Sequence, residues 1–572
     1  MKTIKTLYKS VFLAGLVTLS ACEDLTELNV SENGPSQTTS NPNLLMPTVM
    51  TSVANSYLDL GIMDLAGTMQ HTQKTGWYSA HNSYDWAPRD WSPWYGAERS
   101  NKLIYKRAVE LNWPFHQAVA LTMKSFIYGT ITDLWGDAPY TEAVRGEEGS
   151  EFVQPVFDTQ DVIYAGIIED LKTASALFAT GDVTGINAAY DVYYGGDMEK
   201  WQKFANSLIL RYAMRISDKN ASASKSTIEE IYNSGIYISD ASEDATMAFV
   251  GANASNSFPT SVTDDGTKFR NARACNTLLD NLVANNDPRL EVWFSPVHVQ
   301  WVEDLTLLTK TDQYIRKNGV LTARTNIKDN DYRAEKKADP SVVYTRHFNP
   351  TLFEVDEELP QTSEWVGIPP AVIGPDYYNL NPTPGQTVEN QHVTQYDDIY
   401  RDLSGSLLKA RFASAAETHF ILAEAALKGW SVGSAKSNYE NGVKTSLAAW
   451  NVGGDYAAYI AEPGVAFNEA QSVDEKLAQV IEQKWIASWT SATEAWMDYR
   501  RTGLPELQTG PASPEPVLPV RFIYSDDETL RNETNADEAI GRLEETDYSN
   551  LRGANSQWSK PWIIQGTGKP WE

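Results

Sequence analysis

The chain has 572 residues, a formal net charge of −28 at pH 7 and only two cysteines. An acidic surface of this strength repels nucleic acid and anionic lipid, so we expect no nucleic-acid partner. Two cysteines exclude a disulfide framework and a zinc site built from four thiolates. Aromatic residues make up 11% of the chain, including 18 tryptophans, which predicts a folded globular protein rather than a disordered one.

Residues 1–21 predict an export signal. Lys2, Lys5 and Lys9 precede the apolar run VFLAGLVTL, which is too short to span a membrane. Leu-Ser-Ala stands directly before Cys22, and this pattern looks like the lipobox of bacterial lipoproteins. We therefore expect the signal to be removed and Cys22 to become the lipidated N-terminus. The alternative is an ordinary secretory signal that is followed by a cysteine.

The segment 22–43 is polar, contains Gly34, Pro35 and Pro42, and shows neither a helical nor a strand period. It predicts an extended tether that leads away from the lipid anchor. No later stretch rich in proline, glycine and serine is long enough to divide the chain. We therefore expect residues 44–572 to form a single domain.

Helical periodicity dominates after the tether. In the segment 197–217, for example, Trp201, Phe204, Leu208 and Tyr212 fall on one helix face. The same kind of pattern predicts helices at 44–60, 97–111, 115–135, 159–179, 197–217, 271–285, 413–429, 434–450 and 474–490. Several of them are neighbours in sequence, which favours a stack of helical hairpins, although no strict repeat period is present.

Between about residues 236 and 410 the composition shifts to proline, glycine, asparagine and aspartate. Short apolar pieces such as VWFSPV and SVVYTRHF interrupt this region and predict a few short strands among long loops. Long loops of this kind often carry function. The predicted fold class is therefore mainly α, with helical hairpins as a scaffold, a loop-rich face and a few short strands.

Five longer motifs follow the Leu-Ser-Ala-Cys pattern in a fixed order. They are ITDLWGDAPYTEA (131–143), GGDMEKWQKFANSLILRYAMRIS (195–217), NNDPRL (285–290), HFILAEAALKGW (419–430) and EQKWIASWTSATEAWMDYRRTGLPEL (482–507). In this order they resemble the SusD/RagB family of outer-membrane lipoproteins of Bacteroidetes, in its nutrient- or starch-binding branch. The resemblance covers essentially the whole chain after the signal.

The resemblance implies a lipid-anchored binding protein at the cell surface. Such a protein sits as a lid on a SusC-like, TonB-dependent transporter and hands it oligosaccharides, and sometimes peptides. The family fold combines TPR-like helical hairpins with a loop-rich ligand face. Glu23 and Asp24 resemble the acidic signal that directs these lipoproteins to the outer face of the outer membrane.

The sequence offers no catalytic constellation. It contains no H-E-x-x-H, G-x-S-x-G, phosphate-binding loop or dinucleotide-binding motif, and its histidines have no metal-ligand spacing. Glu417 and Glu424 share a helix face, but about 10.5 Å of helix separates them, which is more than a glycosidase pair allows. We expect them to form ion pairs with Arg500 or Arg501 instead. No catalytic residue and no cofactor are predicted.

A structural calcium ion is conceivable in this sequence but is not predicted. Asp264 and Asp265 precede Gly266, which favours a turn over a calcium-binding or ligand-binding loop. The acidic segment 525–538 lacks the ligand spacing of a calcium loop. We therefore interpret that segment as solvated surface.

Rings interleaved with polar residues mark the segment 76–96. They follow neither a strand nor a helix period, and Pro88 and Pro93 interrupt them. Flat rings can stack on the apolar C–H faces of sugars, while amides and arginine bind the hydroxyls. Candidate ligand contacts here are Trp77, Tyr78, Asn82, Tyr84, Trp86, Arg89 and Trp91. The alternative is that such rings anchor a long loop to the core, which we favour for Trp94 and Tyr95.

The long loops supply a second set of rings. The segment 363–380, SEWVGIPPAVIGPDYYNL, combines aromatics with glycine and proline, and two tryptophans flank FSPVHVQ. The candidates from these loops are Trp293, Trp301, Trp365, Tyr377 and Tyr378, each weighed against a packing role. The sequence thus predicts a non-catalytic, glycan-binding surface lipoprotein. A peptide binder on the same scaffold, a surface glycoside hydrolase and a purely structural lid stay as alternatives.

Overall fold

The structure, a computed structural model, describes residues 40–76, 78–253, 256–259, 272–382, 390–549 and 552–571. Cys22, Trp77 and the pair Asp264 and Asp265 lie outside these residues. The helices are α1 Pro42–Ile62, α2 Asp64–Thr68, α3 Ser92–Leu111, α4 Pro114–Trp135, α5 Gln160–Phe178, α6 Met198–Arg215, α7 Ala221–Ser234, α8 Asn276–Ala284, α9 Leu290–Trp293, α10 Asp329–Ala338, α11 Ala415–Leu427, α12 Ala435–Ala449, α13 Tyr456–Tyr459, α14 Val473–Ala487, α15 Ala492–Thr502, α16 Asp526–Arg531 and α17 Glu533–Gly541. The strands are β1 Thr72–Lys74, β2 Ala245–Ala248, β3 Ala272–Ala274, β4 Phe294–Ser295, β5 Gln300–Glu303, β6 Arg316–Lys317, β7 Val320–Leu321, β8 Tyr344–Phe348, β9 Gln395–Tyr396 and β10 Lys409–Ala413.

Each predicted helix overlaps an observed one, and local signals explain several of the ends. The Asp197 carboxylate accepts a hydrogen bond from the Lys200 N–H at 3.1 Å and so caps the start of α6. Ser472 and Glu475 form a reciprocal capping box at the start of α14. At the end of α11, Gly429 has a φ of +78°, a conformation that glycine adopts without steric cost.

The prediction for 271–285 is partly wrong. Residues 272–274 form β3, which pairs antiparallel with β1, and α8 begins only at Asn276. The apolar residues of the segment fit a helical period, but the backbone hydrogen bonds of its first part go to a strand that lies about 200 residues earlier in the sequence. A local pattern contains no information on that pairing.

The predicted helical hairpins are confirmed. Helix α3 packs against α4, α5 against α6, and α11 against α12. On α6, Trp201, Phe204, Leu208 and Tyr212 are all buried, as their common face predicts. Gly442 of α12 lies directly against the ring of Phe420 on α11, where any side chain would collide with the ring. The fold is mainly α, as predicted.

The region of long loops contains short strands in small sheets. Strands β5, β8, β6 and β7 form a four-stranded sheet in that order, in which β5 and β8 are parallel. Strand β10 pairs with β2, and β9 pairs with β4. Among the described residues, no helix is long and apolar enough to cross a membrane.

Two glutamates of α11 form buried ion pairs, one of them as predicted. Glu424 binds Arg501 of α15, with 2.7 Å between Oε2 and Nη2. The prediction is wrong for Glu417, which binds Arg211 of α6 with 2.7 Å between Oε1 and Nε. Arg500 points elsewhere and donates to the carbonyl oxygen of Val520. The ion pairs join three helices that are far apart in sequence.

Replacing Arg501 with alanine is expected to lower the free energy of unfolding by about 3 kcal/mol, because Glu424 would keep a buried charge without its main partner. This is the low end of the range for such pairs, since Lys428 Nζ remains 3.7 Å from Glu424. Denaturant unfolding measures the effect. Arg531→Ala is the matched control, because the Arg531–Asp527 pair is exposed and should contribute less than about 0.5 kcal/mol. Equal stability of the two variants would contradict the account.

Candidate functional site

Two loops that carry candidate ligand-binding rings are attached to the same small sheet. Strand β1 pairs with β3, and the next residue, Cys275, forms a parallel bridge with Ile368. The Ala371 N–H also donates to Oε1 of Gln73, at 3.1 Å. The loop that follows β1 and the loop around residues 365–380 are therefore fixed to the same small sheet.

The loop after β1 is closed by Asn82. Its side chain accepts from the Lys74 N–H at 2.8 Å and donates to the Lys74 carbonyl oxygen at 2.9 Å. The Asn82 N–H donates to the carbonyl oxygen of Tyr78, also at 2.8 Å. Asn82 is fully buried, so it positions the loop, and its prediction as a ligand contact is corrected. Tyr78 lies in this loop and is half-buried.

Trp365 is held by the backbone on both sides. The carbonyl oxygen of Glu364 accepts from the Val297 N–H at 2.9 Å. The Val366 N–H donates to the Thr394 hydroxyl at 2.9 Å, and the Val366 carbonyl accepts from the Thr394 N–H at 2.8 Å. The ring of Trp365 is half-buried, so one part of it packs on the core while the rest faces solvent.

Asn379 fixes the backbone beside Tyr378. Its Nδ2 donates to the His392 carbonyl at 2.8 Å, and its Oδ1 accepts from the Gln361 N–H at 2.8 Å. Its carbonyl oxygen accepts from Nε1 of Trp301 at 3.0 Å. The Trp301 ring is buried and stacks on His392, with 4.5 Å between the ring centroids. Trp301 was predicted as a ligand contact, but it supports this loop from inside.

The other buried candidates are core residues. Trp86 is 0% exposed and lies edge-on to Trp496 and Phe522. Trp293 stacks on Trp489, with 5.3 Å between the centroids. The side chains in this group, which are buried in the packed core, are Tyr84, Trp86, Trp91 and Trp293. Their prediction as ligand contacts is corrected to a packing role, because the core closes over rings that look like loop aromatics in the sequence.

The remaining side-chain contacts of the segment 76–96 attach it to the rest of the fold. Arg89 is half-buried, forms an ion pair with Asp64 through Nη2 and lies over the ring of Phe522. The indole N–H of Trp91 donates to Glu528 at 2.9 Å. Trp94 is buried, and the Tyr95 hydroxyl donates to the Pro139 carbonyl at 2.7 Å. Both residues anchor the loop, as the sequence favours.

Four candidate rings keep solvent exposure, and we call them the aromatic face: Tyr78, Trp365, Tyr377 and Tyr378. Tyr377 is the most exposed, at 67%. The backbone that holds Tyr377 and Tyr378 is strained, since Ala371, Asn379 and Leu380 have φ values of 48°, 52° and 51°. Strain of this kind concentrates at functional sites. The predicted contact Trp77 lies outside the described residues, next to Tyr78.

A third loop supports the aromatic face and is missing from the sequence prediction. The Ala512 N–H donates to the Ala371 carbonyl at 2.7 Å, and Gln70 Nε2 donates to the Gln508 carbonyl at 2.5 Å. Gly510 approaches the carbonyl oxygens of Pro370 and Ala371 so closely that a side chain would not fit. The Gly510-Pro511 pair and the prolines that follow it at 514, 516 and 519 are local signals for this loop.

The titratable groups near the face show no metal site and no reactive thiol. Within the described ranges, no three His, Cys, Asp or Glu side chains are grouped to hold a metal ion. Cys275 is fully buried, and burial raises the pKa of its thiol to about 12. The thiol is therefore protonated at neutral pH and is not a nucleophile.

Comparison with known proteins identifies a matching family and solved structures with a similar fold. The family described as starch-binding associating with outer membrane, SusD-like_2, matches residues 32–319 and 380–525. A SusD homolog from Bacteroides fragilis has a similar structure, with a TM-score of 0.67, 19% identity and coverage of 92% of this chain and 99% of that chain. A chitin-binding SusD homolog from Flavobacterium johnsoniae has a TM-score of 0.63, 19% identity and coverage of 91% and 99%. The comparison with curated proteins gives no match.

The family match covers more than half of the chain, and the matched residues include both helices of the scaffold and loops of the loop-rich face. The structural similarity extends over nearly the full length of both solved structures. The resemblance that the motifs predicted is therefore confirmed. This chain belongs to the SusD-like family, which is described as starch-binding and associating with the outer membrane.

Proposed function

We propose that the chain binds oligosaccharides or polysaccharides at the cell surface and delivers them to a SusC-like, TonB-dependent transporter. The observation that carries this proposal is the aromatic face, with four partly or fully exposed rings on backbone that is fixed by hydrogen bonds. The family description and a chitin-binding structural relative support the choice of a glycan. The association of the family with the outer membrane supports the choice of location.

Stacking explains why exposed rings suit a sugar. The C–H faces of pyranose rings are apolar, and a tyrosine or tryptophan ring covers them without needing a charged partner. Preformed backbone reduces the entropy that binding would otherwise cost. The net charge of −28 repels anionic polymers, so the expected ligand is a neutral glycan.

We propose no catalytic activity. Glu417 and Glu424, the carboxylate pair that shares a face of α11, are both engaged by arginines inside the helical stack. A general acid must face the glycosidic oxygen across a cleft, and these two residues face neighbouring helices. Product analysis after prolonged incubation with a bound glycan checks this point, and any new reducing ends would contradict it.

Affinity electrophoresis against a panel of polysaccharides tests the binding proposal. At least one neutral polysaccharide should retard the protein, while a non-binding protein of similar size migrates unchanged. The peptide alternative predicts the opposite result. Retardation by no polysaccharide, together with saturable binding of peptides, would refute glycan binding.

Replacing Cys22 with serine is expected to release the protein from the membrane fraction without changing its stability or glycan affinity. Serine offers no thiol for a thioether-linked lipid, and the predicted tether separates residue 22 from the domain. Cell fractionation with antibody detection measures the distribution. A replacement of Cys275 by serine is the control, since that thiol is buried and should leave membrane attachment unchanged. A Cys22→Ser variant that stays in the membrane fraction would contradict the anchor.

A further inference from the structure

A cleft of about 490 Å³ opens between three helices and a loop, and it shares no residue with the aromatic face. Helices α3, α4 and α5 form its walls, and residues 140–148 close one side. Its lining includes Glu98, Asn101, Tyr105, Lys124, Tyr128 and Tyr140. We call it the helical cleft. Its volume falls within the range of ordinary small-molecule sites.

The floor of the helical cleft contains a buried acceptor without a donor. Asn101 is 2% exposed, and its Nδ2 donates to Glu98 Oε2 at 3.0 Å and to the Ala120 carbonyl at 2.8 Å. Its Oδ1 accepts no hydrogen bond from any residue that the structure describes. Leaving a buried acceptor unpaired costs about 1–3 kcal/mol, so a donor from a ligand would stabilise this arrangement.

Glu98 stands beside this acceptor and is 4% exposed. Burial raises the pKa of its carboxyl to about 8, against the opposing effects of the hydrogen bond from Asn101 and the charge of Lys124. At neutral pH the group is therefore mostly a neutral acid, which can donate one hydrogen bond and accept others. Glu98 and Asn101 together can bind a hydroxyl, which both donates and accepts.

Tyrosine rings provide the apolar part of the wall. Tyr128 and Tyr140 meet edge to face, with 4.8 Å between their centroids. The Tyr140 hydroxyl donates to Asp170 at 3.2 Å, which fixes the ring. Tyr105 stands at the rim with 37% exposure. Rings beside hydroxyl-binding groups are the combination that a sugar requires, with an apolar face and polar edges.

The charged side chains of the cleft neutralise each other. Lys124 binds Asp170 at 2.8 Å, and Lys102 binds Glu148 at 2.8 Å. Arg145 also binds Glu148, at 2.7 Å. The cations that line the helical cleft therefore all have carboxylate partners within its wall. This arrangement gives an ionic ligand no unpaired charge and favours a neutral one.

We propose that the helical cleft is a second binding site, which takes a neutral, hydroxyl-rich small molecule of mono- or disaccharide size. The inference goes beyond the function proposed above, because it depends on neither the aromatic face nor the transporter. The cleft lies between helices and, at about 490 Å³, has room for one or two sugar rings, whereas the rings of the aromatic face lie on loops. The two sites would thus bind ligands of different length.

Isothermal titration of the full chain with glucose, galactose, N-acetylglucosamine, maltose and cellobiose tests the proposal. At least one should bind saturably, and Asn101→Leu should weaken that binding at least tenfold. Leu121→Trp, which fills the cleft from α4, should weaken it at least as much. Leu308→Ala is the control, because that side chain is 96% exposed and belongs to neither site, and it should leave the binding unchanged. Thermal unfolding of each variant shows whether it is folded, and Leu121→Trp keeps the test valid if Asn101→Leu does not fold.

Three results would overturn the proposal: no saturable binding of any of these sugars, unchanged affinity in Leu121→Trp, or tighter binding of glucuronate or glucosamine than of neutral sugars. Failure here is distinguishable from failure of the proposed function. If polysaccharides retard the protein on electrophoresis but none of the small sugars binds, the aromatic face is supported and the helical cleft is refuted as a site. The reverse pattern keeps the cleft and refutes the face.

Discussion

Replacing Trp86 with alanine is expected to lower the free energy of unfolding by ~3–5 kcal/mol, the usual cost of removing a large buried ring. The ring is 0% exposed, and its centroid lies 5.0 Å from that of Phe522 and 5.5 Å from that of Trp496. Alanine would leave a cavity among side chains that cannot all move to fill it. Denaturant unfolding, read by circular dichroism, measures the change.

The glycan affinity of the folded Trp86→Ala protein should equal that of the wild type. Tyr377→Ala is the matched control for stability, because that ring is 67% exposed and its loss should change the unfolding free energy by less than about 0.5 kcal/mol. An unchanged stability of Trp86→Ala combined with lost affinity would mean that Trp86 contacts ligand after all. The burial described above would then not represent the binding-competent protein.

Removing two rings of the aromatic face together, by Trp365→Ala and Tyr377→Ala, is expected to lower the affinity for the bound polysaccharide at least 100-fold. Each ring that covers a sugar contributes about 1.4 kcal/mol or more, through buried apolar area and stacking, and 1.4 kcal/mol corresponds to a tenfold change. Isothermal titration measures the loss. The unfolding temperature should change little, since Tyr377 is exposed and the backbone anchors of Trp365 remain.

The matched control for this double variant is Tyr105→Ala, which removes a 37% exposed aromatic ring from the helical cleft. It should leave polysaccharide affinity at the aromatic face unchanged. Equal losses in both proteins would show that the two surfaces act on one ligand. No loss in the double variant would remove Trp365 and Tyr377 from the site.

The helical scaffold was predictable because its helices have a strong apolar period and local caps. Two of the helices missing from the prediction, α7 and α10, lack these signals. Among the ten residues of α10 only Asp329 is buried, so the helix has no apolar stripe. In α7 the buried positions are Ser224, Ile228 and Ile231, which give too weak a period in a polar segment. Periodicity identifies helices that bury a face, and it misses those held by other contacts.

The site was predictable only as a set of candidate segments. Trp86 and Trp365 occur in similar surroundings of proline, glycine and polar residues, yet one is buried and the other is half exposed. The difference comes from remote contacts, such as the hydrogen bond from the Trp86 N–H to Oε1 of Gln557 at 2.9 Å. No local pattern shows which loop aromatic the core will enclose. The sequence therefore could not distinguish rings that support the loops from rings that contact ligand.

Two residues that the sequence predicts as ligand contacts support the binding loops instead. Asn82 and Trp301 were predicted to bind ligand through an amide and a ring. The amide binds the backbone of Lys74, and the indole N–H binds the carbonyl of Asn379. Both hold loops that present candidate rings. A polar or aromatic residue in such a loop therefore indicates the site region more reliably than it identifies a contact.

Amide hydrogen exchange, measured with and without a bound oligosaccharide, shows where on the protein the glycan binds. Exchange should be slower in peptides covering residues 75–82 and 363–381 when glycan is bound, and unchanged around the buried ring of Trp86. Protection confined to other parts of the chain, with these two loops unaffected, would contradict the assignment of glycan binding to the aromatic face.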